Sequence, residues 1–300
     1  MSSKIMKPLV VLAVVACMAT PAMAGFQNWD GTGDWADDAA ARWSGDLGAG
    51  NIPGAGDAAN VRSGILGAGT NDGSLGAFAN FYIGHPNDAA LPAGTATFNM
   101  DGGSMSTATL IGVGGTQDDV FVNLSGTAAV SVSGVFKMLG YGGDSAFDDT
   151  FDSTSTLTLS DSATLSVDNL RVGVGYAKVG GDENAGNSFL VQLDGGVLTV
   201  NDINRGASLN LAGTREVRLN GGTLKILGNH AGAIPTDIEP FVSGLGGANK
   251  GGGVGVAYIN LGFDGSHTGF AAIPEPSTLT LLGLGGLGLG LIIRRRRRRS

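Results

Sequence analysis

The chain has 300 residues, of which 53 are glycine and 15% are charged, with a formal net charge of −8. A composition so rich in glycine and poor in charge excludes an ordinary helical domain. The acidic balance excludes a cationic face on the body for DNA, RNA or anionic lipid, and the single cysteine, Cys17, excludes a disulfide framework.

The first 24 residues read as a secretory signal peptide. Lys4 and Lys7 precede the apolar run Leu9 to Met18, and the small-residue site Ala22-Met23-Ala24 follows, which places cleavage before Gly25. The run is about half of the ~20 residues a membrane span requires. The expected signal helix is therefore transient, and its partners are a Sec-type export machinery and a signal peptidase. Val14-Val15-Ala16-Cys17 also resembles a lipobox, which would make Cys17 a lipidated first residue. With cleavage at Ala24 the mature chain contains no cysteine.

Residues 25–58 hold all three tryptophans, Trp29, Trp35 and Trp43. They are expected to form an N-terminal cap over the open end of a repetitive core, since each ring buries on the order of 150–250 Å². The alternative role is a carbohydrate contact through exposed indole faces. Asp30, Asp34, Asp37 and Asp38, and further on Asp144, Asp148, Asp149 and Asp152, are dense enough for weak Ca²⁺ binding. Neither group has the EF-hand spacing and no glycine–aspartate nonapeptide array is present, so solvated carboxylates are expected, with no metal and no cofactor.

From 59 to 232 one unit recurs. An alternating run meets a glycine turn and then a second run: Thr97 to Met100, Asp101-Gly102-Gly103, Ser104-Met105; Val191 to Leu193, Asp194-Gly195-Gly196, Val197 to Val200; Val217 to Leu219, Asn220-Gly221-Gly222, Thr223 to Ile226. Looser copies run from Val122 to Val130 and from Leu157 to Val167. A closing phrase follows each unit: Tyr82-Ile83-Gly84, Leu110 to Gly114, Leu139 to Gly142, and Val172 to Gly175. Anchoring on Met100, Leu124, Leu159, Leu193 and Leu219 gives spacings of 24, 35, 34 and 26. That is one coil of roughly 20–25 residues carrying acidic insertions, Gln117 to Asp119, Asp144 to Asp152 and Gly180 to Asn187, on one side of the stack. A unit of this size cannot bury its own apolar face, but stacked units can.

The predicted fold is therefore all-β, a single-stranded right-handed parallel β-helix. The alternative is a β-sandwich, because Asp-Gly and Asn-Gly between alternating runs also signal hairpins. The repeat resembles autotransporter-associated β-strand repeats, and Arg42-Trp43-Ser44 with Ile52-Pro53 and Gly56-Asp57-Ala58 resembles the opening of such proteins. The resemblance implies the fold and no activity.

Residues 233–272 form a Gly-rich closing segment with one apolar strand, Val254 to Phe263. His85, His230 and His267 are far apart and fit no zinc spacing, and there is no G-x-S-x-G elbow. No catalytic residue is assigned and the chain is expected not to be an enzyme. A glycosidase or polysaccharide lyase is the alternative, since its carboxylates need meet only in space. Gly283 to Gly288 satisfies G-x-G-x-x-G but lies within an apolar run with no preceding strand. Asn123-Leu124-Ser125 is a sequon in an expected core strand.

The last segment, 273–300, reads Ile273-Pro274-Glu275-Pro276-Ser277-Thr278, an apolar run from Leu279 to Ile293, then Arg294, Arg295, Arg296, Arg297, Arg298 and Arg299. It resembles a PEP-CTERM sorting signal, the tag of exosortase-type membrane proteases. The resemblance implies recognition at Pro274, Glu275 and Pro276, removal of the tail, and release or attachment at the cell surface. The six arginines are a cytoplasmic stop, which leaves the body outside. At 15 residues the run measures near 22 Å, short of a ~30 Å hydrocarbon core, and suits transient insertion. Without Lys4, Lys7, the arginine tail and Glu275, residues 25–274 carry 10 Lys and Arg against 25 Asp and Glu, a net of −15. The expected protein is an exported structural component of the cell surface or extracellular matrix, associated with exopolysaccharide. A carbohydrate-binding or carbohydrate-active β-helix is the second reading.

Overall fold

The computed structural model describes residues 25–35, 43–46, 52–69, 73–84, 95–114, 119–140, 154–172, 188–204, 214–230, 234, 242–243 and 258–272. Among them there are seventeen strands and no helix. The expected signal helix and the expected Leu279–Ile293 helix lie outside these residues.

Three parallel ladders make the body. The first takes the second halves of β1 (Phe26–Asp34) and β3 (Ala58–Ala68), then β5 (Ala96–Met100), β7 (Val120–Leu124), β9 (Thr154–Leu159), β11 (Ser188–Leu193), β13 (Thr214–Leu219) and β15 (Val242–Ser243). The second takes the first halves of β4 (Ser74–Ile83), β6 (Ser104–Gly114), β8 (Ala129–Gly140), β10 (Thr164–Val172) and β12 (Val197–Asn204), then β14 (Thr223–Leu227). The third takes the first halves of β1 and β3 and the second halves of β4, β6, β8, β10 and β12. The chain passes through the three ladders in turn and re-enters the first one strand further along. Strands pair with the circuit before and the circuit after, which is the arrangement of a parallel β-solenoid.

The repeated glycine phrases are thus corners between ladders. β5 and β6 flank Asp101-Gly102-Gly103 yet do not pair with each other: β5 pairs with β3 and β7, and β6 with β4 and β8, strands of the coils before and after. The sandwich alternative, which needs these turns to close hairpins, is set aside by that parallel pairing. The anchor residues hold one register down the stack, Ala68, Met100, Leu124, Leu159, Leu193 and Leu219, and all are buried. Alternation puts one side chain in two into the core, as in β9, where Ser155, Leu157 and Leu159 are buried and the residues between them are half-exposed. The unequal anchor spacings arise where a third-ladder strand returns to the first ladder. The acidic insertions fall there, at one corner, and except for Asp119 lie outside the described residues.

Polar side chains, half-exposed or exposed except for the buried Asn60, bond from coil to coil. Asn60 Nδ2 donates to Asn28 Oδ1 at 2.8 Å, Asn123 Nδ2 to Asn99 Oδ1 at 2.8 Å, Asn169 Nδ2 to Asp202 Oδ2 at 2.9 Å and Asn220 Nδ2 to Asp194 Oδ1 at 2.9 Å. Amides placed beside aspartates keep like charges from stacking at the strand spacing of about 4.8 Å. Where cations do align, on the third ladder, Lys137 stands in register with Arg171. Partial burial, and next the Arg171 charge, push the Lys137 ammonium below its ordinary pKa.

The two ends depart from the expected boundaries. β1 is already paired in parallel with β3, so the solenoid begins at Phe26 and not near residue 59. At the other end the expected strand over 254–263 is observed as β16 (Tyr258–Phe263) and is followed by β17 (His267–Ala272), with the two pairing as an antiparallel hairpin. β17 lies antiparallel on β14 and ends the second ladder, placing Phe270 opposite Leu224 in the core. A reversed strand carries the hydrogen bonds of the last coil without offering a continuation of the parallel register.

The corner before the second ladder restricts the sequence most. Gly73, Gly103, Ala128, Ala163 and Gly196 each accept a backbone N–H from the next coil, at 2.8–3.0 Å. A Cβ at Gly222 would stand 2.6 Å from Gly196 O and 2.8 Å from Leu193 Cβ, whereas at Gly73, with φ +65°, nothing lies within 4 Å. Gly222→Val is therefore expected to cost about 3 kcal/mol or more through displacement of backbone, and Gly73→Asn about 1 kcal/mol or less because Asn tolerates a left-handed φ. Thermal melts of the two variants check the ordering, and equal losses would contradict it.

Candidate functional site at the carboxy-terminal cap

The residues singled out in the sequence are placed as follows. The tryptophans come together: Trp43 lies 5.3 Å from Trp29 and 5.2 Å from Trp35 between ring centroids, both edge to face. Trp35 continues the column to Phe78 at 5.5 Å and Phe81 at 6.3 Å, and Phe81 meets Phe98 at 5.0 Å. Trp29 and Trp43 are 0% exposed and Trp35 6%. No indole face is open to stack on a sugar, so the carbohydrate contact at Trp29, Trp35 and Trp43 is corrected: the aromatic surface is used to close the core.

Asp30 forms a two-pronged ion pair with Arg62 and accepts the Ser63 hydroxyl at 3.1 Å, and Asp34 accepts the Trp35 N–H at 2.9 Å. Among the described residues no three His, Cys, Asp or Glu gather as metal ligands would. Asp37, Asp38, Asp144, Asp148, Asp149, Asp152 and His85 lie outside those residues, as do Cys17, Ala22, Ala24, Pro274, Glu275, Pro276 and Arg294 to Arg299. Gly25 is described. Its N–H is held by Asp57 Oδ1 at 3.0 Å, while Asp57 Oδ2 accepts the Gly54 N–H at 2.8 Å.

The densest polar network is on the capping hairpin. The turn between β16 and β17 is closed by Asp264, whose Oδ1 accepts the N–H groups of His267 at 2.9 Å and Ser266 at 3.1 Å and approaches the Ser266 hydroxyl at 3.1 Å. Its Oδ2 accepts Lys225 Nζ of β14 at 2.9 Å. Ser266 Oγ is also 2.8 Å from His267 Nδ1, and His267 Nε2 is 3.3 Å from Asn201 Oδ1, whose amide donates to Asp168 at 2.5 Å. A serine beside a histidine invites a hydrolytic reading, but the carboxylate here holds the serine and not the imidazole. A nucleophile–base–orienter arrangement requires the reverse order. The network fastens the hairpin to β12 and β14. The sequence pattern gives His267 no metal spacing and shows one strand, not two, in this segment; the signal for β17 was Asp264-Gly265-Ser266, a turn between two runs.

A second feature lies on the outer side of the second ladder. Ser106, Ser131, Ser166 and Thr199 stand in register in successive coils, the row beside them runs Ser104, Ala129, Thr164 and Val197, and a shallow groove of about 520 Å³ passes over Ser104, Ser106, Ala129, Ser131, Thr164 and Ser166. No carboxylate and no aromatic ring lines it.

The final strand ends at Ala272, and residues 272–298 match the PEP-CTERM protein-sorting motif. That motif marks an exosortase-targeted protein, exported and processed at the cell envelope. The chain as a whole matches no curated protein and no solved structure.

Three contacts, led by the His267 N–H and followed by Lys225 and the Ser266 N–H, hold the Asp264 carboxyl well below the usual carboxylate range. A depressed carboxyl contributes stability that is present above its unfolded pKa of about 3.9 and is lost as pH falls through the lower folded value. Amide protection in the hairpin is therefore expected to hold above about pH 5 and to weaken progressively as pH falls through about 4 and below. Asp264→Asn should remove this acid dependence in hydrogen exchange, and an unchanged profile would contradict the assignment.

Proposed function

We propose that the protein is a non-catalytic structural component of the cell surface or extracellular matrix. It is exported by a Sec-type route, cleaved before Gly25, and held in the membrane through Leu279 to Ile293 with the six arginines on the cytoplasmic side. It is then cut near Pro274 to Pro276 by an exosortase-type protease and retained among exopolysaccharide. The observation that carries this reading is the abutment of sorting motif and fold: Ala272 is both the last residue of the capping strand and the first of the matched segment. Cleavage anywhere beyond it leaves every ladder and the cap intact. A rod of stacked coils with hydroxyl and amide walls suits a load-bearing or spacing role. Right-handed winding, the hand that strand twist favours in parallel crossovers, is part of the reading, and so is the likeness of its corners to autotransporter-associated repeats.

The second reading, a carbohydrate-binding solenoid, draws on the hydroxyl-lined groove in place of the tryptophans. A paired-acid glycosidase needs two carboxyls about 5–9.5 Å apart flanking the bound sugar, and this groove supplies none.

Two outcomes test the processing scheme. Intact mass of the protein from envelope and medium fractions should show a chain beginning at Gly25 and ending near Pro274 to Pro276, and a species that keeps Leu279 to Arg299 throughout would overturn the cleavage. Cleavage before Gly25 would also turn its N–H into an ammonium beside Asp57. A chain starting at Gly25 should then be more stable by about 1 kcal/mol than one carrying a short N-terminal extension, and Asp57→Asn should abolish that difference in thermal melts.

A further inference from the structure

Exposed apolar side chains are concentrated at one end of the molecule. Among the described residues six large hydrophobic side chains are exposed, and four of them, Leu227, Ile259, Leu261 and Phe263, lie on β14 and β16 at the carboxy-terminal end. Ile259, Leu261 and Phe263 are 43%, 54% and 45% exposed, all on a single six-residue strand. β16 pairs with β17 alone among the described strands, so it is also the outer edge of the sheet. Such an edge in water invites unwanted pairing unless something covers it.

The position of the tail says what does. The chain leaves the cap at Ala272, which pairs with Tyr258 at the start of β16, and Ile259 faces Ala271 one step back. Leu279 is seven residues beyond Ala272, a reach of at most about 25 Å at ~3.5 Å per residue. The headgroup region outside the hydrocarbon core is itself about 5–8 Å deep on each side. While Leu279 to Ile293 is in the membrane, this end of the body cannot be far from lipid. The walls are less suited to lie there, for their outward rows are dominated by Ser, Thr, Asn and Asp, with Lys137 and Arg171 among them, and the body carries a net charge of −15 over residues 25–274.

We propose that β16 is a membrane-seating strand: before cleavage the solenoid stands end-on, with Ile259, Leu261 and Phe263 resting in the headgroup layer of the outer bilayer surface. The proposal rests on the reading of Leu279 to Ile293 as membrane-held. The seat is edge-on and shallow: a register shift between Asn260 and Gly262 sets Ile259 and Phe263 on opposite faces of the hairpin, and the outer backbone edge of β16, unpaired among the described strands, has to keep its contact with water or headgroups. Apolar side chains at interfacial depth add binding area without spanning, and the seat holds the Pro274 to Pro276 segment close to the surface where a membrane protease works. Once the tail is removed the tether is gone, and three side chains alone give weak, reversible attachment, so the cut also frees the seat.

The test uses the chain from Gly25 to Ser300, which contains no cysteine, in phosphatidylcholine vesicles. Single variants Leu261→Cys, Ser131→Cys on the wall and Leu287→Cys in the tail each carry an environment-sensitive nitrobenzoxadiazole label, and lipids bearing a nitroxide high on the acyl chain serve as quencher. The expected result is a blue shift and at least twofold quenching at positions 261 and 287, with neither at 131. Quenching at 287 without quenching at 261 overturns the seat and leaves the tail reading standing. No quenching at 287 sinks both. A shift at 261 that follows protein concentration and is insensitive to the nitroxide identifies a second copy as the occupant and overturns the proposal.

Discussion

Everything in this fold depends on one spacing. Successive coils are joined by parallel backbone hydrogen bonds, which set them about 4.8 Å apart, and at the glycine corner the backbone of one coil lies against the carbonyl of the next with no room for a Cβ at Gly222 or Gly196. Because the corner cannot widen, a coil that fits at one level fits at every level, and Met100, Leu124, Leu159, Leu193 and Leu219 are brought to a single row despite unequal separation along the chain. Long insertions enter where the third ladder returns to the first, while single extra residues are taken up as local register shifts elsewhere, as between Thr107 and Thr109.

The same repetition creates a problem at each end, where a coil has apolar residues and hydrogen-bonding groups with no neighbour. The two ends use different chemistry. At the amino-terminal end, bulk closes the core, with Trp29, Trp35 and Trp43 packed edge to face and running on into Phe78, Phe81 and Phe98. At the carboxy-terminal end, a reversal of strand direction closes it, with Phe270 inserted over Leu224 and the turn clamped by Asp264. The first cap buries all three indoles. The second carries most of the exposed apolar side chains, and the sorting segment is attached to it.

That asymmetry connects fold to fate. The sorting motif begins on the last residue of the final strand, so the structural body and the disposable tail share a boundary with little slack. Removing the tail costs the solenoid no hydrogen bond among those described, and the amide-bearing walls keep an acidic molecule from repelling itself along its own length. Both properties suit the proposed structural role outside the cell.

The sequence by itself determined the destination and the repeat. Signals read by other proteins must be legible in linear order, so the Pro274-Glu275-Pro276, apolar and arginine sequence could be recognised without a fold. The coil was legible because each turn must satisfy the same local geometry, a left-handed residue at the corner, glycine in most coils and Asp161 in one, and an apolar residue at every second position. Only the tertiary structure decided the rest. Whether Asp-Gly-Gly is a hairpin or a corner depends on partners some 24 to 35 residues away, and the local turn is compatible with both. Whether Trp29, Trp35 and Trp43 face water or the core depends on an open coil end that does not exist until the coils stack. The capping strand β17 was hidden for the same reason: His267-Thr268-Gly269-Phe270-Ala271-Ala272 has little strand character of its own, and it is held in place by the hydrogen bonds that the last coil leaves unfilled.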